Sequence, residues 1–156
     1  MLFGSKQPAT PFHHILVIVD GTDTSDRAVR LAVILAAATR ARVTAIAFVE
    51  TDTLKRLLTV RVLSQSEMGD FEKGLEESAR RQLTAAVATG RAGGVTIETA
   101  VVRGNSEETV PREVARRGND LIVLGAFDSQ RANRDLLARQ RQQIVDRAPC
   151  PVLVAR

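Results

Sequence analysis

The chain has 156 residues, 44% of them hydrophobic and 26% charged, which suits one soluble globular domain with a core of its own. Only 3% are aromatic, with no Trp and no Tyr, which argues against a stacking platform for single-stranded nucleic acid; the net charge of +4 is spread among 18 acids and reads as solvated helix faces. A single cysteine rules out an internal disulfide and no apolar run approaches bilayer length, so the expectation is a cytoplasmic protein with no nucleic-acid and no membrane partner.

Residues 1–11, interrupted by Pro8 and Pro11, read as a flexible tail without the charged start and long apolar run of a signal peptide. Ile15 to Val19 is a continuous apolar run ending at Asp20-Gly21, the pattern of a central strand buried on both faces. Thr22, Asp23, Thr24 and Ser25 supply N-cap candidates for a helix over about 26–39, with Ala28, Leu31, Ala32, Leu35 and Ala36 on one face. Val43 to Val49 reads as the second strand. Residues 50–66 are the hardest to read; Leu57 to Leu63 suits a short helix or an irregular crossing. A long amphipathic helix over about 66–90 places Phe71, Leu75, Ala79, Leu83 and Ala86 near one stripe, and Gly90, Gly93 and Gly94 stop it. Val95 to Val102 is the third strand. A helix from Ser106 or Thr109 to Arg117 follows, closed by Gly118; Pro111 belongs in a first turn, so this helix is expected to start late or bend. Leu121 to Leu124 is the fourth strand, 134–147 a helix, and Val152 to Ala155 the fifth strand. Strands alternating with helices predict an α/β fold: one domain over 12–156, built on a doubly wound parallel sheet with helices on both faces.

The order and spacing of three stretches resemble the universal stress protein family: Phe12-His-His-Ile-Leu-Val-Ile-Val-Asp-Gly-Thr22, Asp120-Leu-Ile-Val-Leu-Gly125 and Ala148-Pro-Cys-Pro-Val-Leu-Val154. The resemblance implies a five-stranded sheet of order 3-2-1-4-5, an adenine nucleotide alpha hydrolase-like fold, and a homodimer joined through the fifth strand. It also implies a nucleotide site. Asp20 would lie near the nucleoside, Phe48 would flank a base, and Leu124 and Gly125 would line the pocket. The ATP-binding class resembles a glycine, two residues, a glycine, nine residues, then glycine and Ser or Thr. Here those positions carry Gly125, Asp128, Ala138 and Arg139, one match in four.

The substitutions remove what a triphosphate needs. Glycine lets backbone amides approach a phosphate closely; Asp128 sets a carboxylate near it, Ala138 adds a methyl group, and Arg139 removes the hydroxyl. Losing two or three charged hydrogen bonds removes roughly 3–9 kcal/mol of binding free energy. The expectation is a degraded or vestigial site with little or no ATP binding and no required cofactor, in a non-enzymatic regulatory protein acting through an unknown protein partner. In the alternative, ATP or a related adenine nucleotide is held by Asp20, Gly125 and the arginines Arg139 and Arg141, since Arg pairs well with phosphate.

Blander readings stand beside these. Asp20 equally suits a cap for the following loop and helix, and Phe48 suits core packing. His13 and His14 point to opposite faces of a strand and so do not share a metal ion; sheet-edge or surface histidines fit better, and no metal site is expected. Cys150, between two prolines and without an evident base, reads as a packing residue. Ser106 to Glu108 suits a helix start. No recognisable general base or Walker-type loop stands out, so an enzyme that hydrolyses or transfers an adenylyl group is a third and weaker reading.

Overall fold

The computed structural model describes residues 11–156, so the tail expected over 1–11 lies, but for Pro11, outside the described residues. β1 (His14–Ile18) is buried at every position and is hydrogen-bonded on both sides, to β2 (Arg42–Val49) and to β4 (Leu121–Gly125). β3 (Ile97–Arg103) extends the sheet beyond β2, and β5 (Val152–Ala155) extends it beyond β4. All pairings are parallel and the order is β3-β2-β1-β4-β5.

Period-2 geometry explains the unbroken apolar run of β1. Ile15, Val17 and Val19 face one core beneath α1 (Asp23–Thr39) and α3 (Gln65–Ala92). Leu16 and Ile18 face a second core shared with α4 (Ser106–Arg117) and α5 (Leu136–Arg147). Full burial of a side chain of this size stabilises by about 1.5–3 kcal/mol, so each face contributes independently. α1 begins where Thr22 Oγ1 accepts the Ser25 N–H, and its buried positions Ala28, Val29, Ala32, Val33 and Ala36 repeat at helical spacing; Leu31 and Leu35 are only partly buried.

Four departures from the sequence reading have physical causes. The helix in the hard-to-read region, α2 (Thr51–Thr59), starts earlier than Leu57, and Val60 and Val62 beyond it are exposed. α3 starts at Gln65 because Ser64 and Glu67 form a reciprocal capping box. Phe71 projects to solvent, 51% exposed, because it lies in the first turns of the 28-residue α3, ahead of the buried stretch that begins at Ala79. α4 does not start late: it runs through Pro111 from Ser106, secured by Asn105, whose Oδ1 accepts the Glu108 N–H at 2.9 Å.

Candidate functional site at the strand-order switch

The chain winds outward from β1 in one direction to β2 and β3, and in the other to β4 and β5. A crevice therefore opens beyond the C-terminal ends of β1 and β4, the place where open α/β sheets hold ligands. Here Arg141 of α5 crosses it. The Arg141 side chain is only 4% exposed. Its Nη2 donates to Asp20 Oδ2 at 2.7 Å and to Thr22 Oγ1 at 2.8 Å. Its Nη1 donates to Thr24 Oγ1 at 2.8 Å and to the Ala126 carbonyl oxygen at 2.6 Å. One guanidinium thus ties the end of β1, the start of α1 and the end of β4 together. The other oxygen of Asp20 accepts the Thr22 N–H at 3.1 Å and the Thr22 hydroxyl at 2.6 Å. Asp20 is both the turn-capping residue and the counter-ion of a buried charge, which a lone buried guanidinium requires. The Nε of Arg141 is buried without a partner.

Beside this latch lies a cavity of about 220 Å³. Ile18, Phe48, Leu75, Leu137 and Ile144 supply apolar wall, and Asp20 and Arg141 are part of its lining. Glu50, Gln82, Ser106 and Gln140 are among its polar lining. Glu50 Oε1 accepts from Gln140 Nε2 at 2.8 Å. Burial, and then the neighbouring Asp52 carboxylate, push the Glu50 carboxyl above its ordinary value. Ser106 is 2% exposed and its hydroxyl has no partner.

The residues singled out in the sequence separate into two groups. Asp20 and Phe48 both line the cavity. Leu124 is 1% exposed within the second core. Gly125 lets α1 sit directly on the end of β4, where a Cβ would lie 2.7 Å from the Thr24 carbonyl carbon and 2.9 Å from the Ser25 nitrogen. Asp128 caps a single 3-10 turn at Ser129–Arg131, accepting the Gln130 N–H at 3.0 Å. Ala138 is buried. Arg139 is exposed and donates through Nε to the Ala132 carbonyl oxygen at 3.3 Å. Arg141, not Arg139, is the arginine of the crevice. The sequence carried a signal for it: Leu137, Gln140, Arg141 and Ile144 fall at i, i+3, i+4 and i+7, one helix face, and a charge on an otherwise core-facing stripe marks a partner across the fold. Glu50 carried no comparable signal, because its position depends on where β2 ends and α2 begins.

Two further residues are corrected or refined. His14 is not a sheet-edge histidine but a buried one on the central strand, 7% exposed. Its Nδ1 lies 3.0 Å from the Arg117 carbonyl oxygen and its Nε2 2.8 Å from Thr44 Oγ1. A carbonyl only accepts, so Nδ1 carries the proton and Nε2 accepts the threonine hydroxyl. Desolvation holds its pKa below the ordinary value. Cys150 is partly buried against the second core, and burial pushes its thiol up, the opposite of nucleophile activation. Among the described residues no group of three or more His, Cys, Asp or Glu is arranged to hold a metal ion, and no helix is long and apolar enough to cross a membrane.

Comparison with known proteins agrees with this architecture. The universal stress protein of Lactobacillus plantarum, UspA, is 31% identical, with 92% of this chain and 97% of that one covered and a TM-score of 0.64. A Staphylococcus haemolyticus protein named for the same family is 27% identical over 146 residues, 93% of this chain and 85% of its own length. The fold is also that of an Archaeoglobus fulgidus universal stress protein solved in complex with dAMP, at 17% identity, 94% and 99% coverage and a TM-score of 0.65. The model of the universal stress protein family matches residues 11–156, and the chain belongs to that family.

Proposed function

We propose that this chain is a regulatory, non-enzymatic universal stress protein whose nucleotide crevice is held shut by its own side chain, so that ATP binds weakly or not at all. The observation that carries this reading is the Arg141 latch: a guanidinium with both terminal nitrogens already committed, to Asp20, Thr22, Thr24 and the Ala126 carbonyl. For it to hold a phosphate it would first have to release Asp20, a partly buried carboxylate, and leaving such a charge unpaired costs free energy, up to about 3–5 kcal/mol where burial is complete. Nor do the residues around it fit a triphosphate. The charged groups lining the cavity are Asp20, Glu50 and Arg141, a net negative set. Asp128 and Arg139 face solvent and make local contacts instead. No step of catalysis is assigned: the cavity presents no paired nucleophile and base.

The competing reading, an adenine nucleotide held through a variant arginine-containing site, draws on the dAMP complex of the Archaeoglobus fulgidus relative. Titration calorimetry with ATP and magnesium separates the two. Absent or millimolar binding is expected; micromolar binding that Asp20→Ala abolishes would establish the competing reading. We further propose that the working form is a homodimer joined through β5. β5 is the edge strand beyond β4, Val154 on it is 37% exposed, and an unpaired strand edge with apolar side chains favours association. The cytoplasm is the proposed location, and no nucleic-acid or membrane partner is invoked.

A further inference from the structure

We propose that the cavity beside the latch is a binding site for a small organic cation, an amidine or amine on a flat apolar body, with Glu50 as its counter-ion and Phe48 as one wall. The proposal rests on the reading that Arg141 keeps phosphates out, and it names what the remaining space is built to take.

The charge of the cavity points this way. Arg141 is neutralised by Asp20 at 2.7 Å. Glu50 has no such cation: among the described residues the hydrogen bond to its side chain comes from a neutral amide, Gln140 Nε2 at 2.8 Å. The carboxylate of Asp52, two residues on, raises the cost of the Glu50 charge further and is itself answered, among the described residues, by the side-chain amide of Asn105 at 3.2 Å. A buried carboxylate with neutral partners alone gains most from a cation that reaches it.

The walls supply the rest. Ser106 brings a hydroxyl that is 2% exposed and without a partner, on the same lining as Glu50. A hydroxyl oxygen accepts an N–H, so a forked donor such as an amidine engages Glu50 with one arm and Ser106 with the other. Phe48 lines the cavity with an aromatic ring, a group whose face attracts a cation. Leu75, Leu137 and Ile144 cover the apolar body. The volume of about 220 Å³ falls below the roughly 300–1,000 Å³ of drug-sized pockets, so the occupant is small.

Three probes of one shape test the proposal: benzamidine, benzamide and benzoate, titrated into the full chain and followed by amide chemical shifts, with ATP and magnesium as a fourth. Benzamidine is expected to saturate in or below the millimolar range, at least tenfold tighter than the neutral and anionic analogues. Its shifts are expected at Phe48, Ser106 and Gln140. Glu50→Gln should lower the affinity at least tenfold with an unchanged melting curve, because Glu50 makes no side-chain cap for α2. Should that variant not fold, the wild-type shift map decides alone. Equal affinity for benzamidine and benzamide, shifts elsewhere on the surface, or a Glu50→Gln variant that binds as before would each overturn the cation site. Weak binding of all four compounds removes the cation site and leaves the closed nucleotide crevice intact; tight ATP binding removes the reading beneath it.

Discussion

Arg141 and Asp20 lie 121 residues apart in sequence, yet each is close to useless without the other. Replacing Arg141 by Ala strands a partly buried carboxylate and three further acceptors, and is expected to cost about 3 kcal/mol of stability. Asp20→Ala strands the guanidinium. Because each single change already destroys the pair, the double variant should be less destabilised than the sum by about 1–3 kcal/mol, a coupling read from urea unfolding of the four proteins. His14 carries a pH dependence of known sign. Its folded pKa lies below the ordinary value of 6.5, so the unfolded chain binds the proton more readily. The stability associated with neutral His14 is complete above about pH 6.5 and is lost as the pH falls from there through the lowered folded pKa. Urea midpoints at pH 7.5 and 5.5 should differ more for the wild type than for His14→Gln, whose amide titrates at neither pH.

At the scale of elements, helix α1 must land flush on the end of β4, and Gly125 is what allows it. Gly125→Ala would press a methyl group against backbone atoms that have no rotamer to escape through, and about 1–3 kcal/mol of destabilisation is expected from thermal melts. Asn105 joins two helix starts: its Oδ1 caps α4, and its Nδ2 donates to Asp52 near the start of α2. Asn105→Ala should cost about 1 kcal/mol from the cap, or about 2–4 °C in melting temperature for a chain of this size. How far such elements were legible depended on what fixes them. β1, β4 and β5 were plain because an apolar run between turn residues has one good solution in a parallel sheet. α2 was not: Leu54, Leu57 and Leu58 fall at i, i+3 and i+4, but a face of three residues spans little more than one turn, too short to fix a helix in sequence, and of the three only Leu54 is fully buried. The path of α4 through Pro111 was hidden because a proline's cost is visible in sequence, whereas the cap and the packing of Val110 and Val114 that outweigh it are tertiary. In the candidate site, Asp20 and Phe48 were readable from their place at strand ends. Arg141 is legible beside Arg139 as a charge able to pair with phosphate, but its pairing with Asp20 is tertiary, and the place of Glu50 depends on where α2 starts.

For the molecule as a whole, the sheet has one covered middle and two edges, and β5 is the short one. If the β5 edge joins two copies, Val154→Lys should shift the sedimentation coefficient to that of a monomer without lowering the melting temperature of the fold itself, since charge on an edge opposes strand-to-strand association. A strictly monomeric wild type would remove the dimer and leave the account of the crevice untouched. The latch also governs how the chain is made. β1, β2 and β3 with their helices leave the ribosome first, but the guanidinium that answers Asp20 and the strand that covers the other flank of β1 both arrive only after Asp120. A nascent chain stalled before Leu121 therefore carries an unanswered carboxylate and an open row of main-chain donors and acceptors along its central strand. Premature termination should yield material cleared by proteolysis instead of a serviceable half-domain.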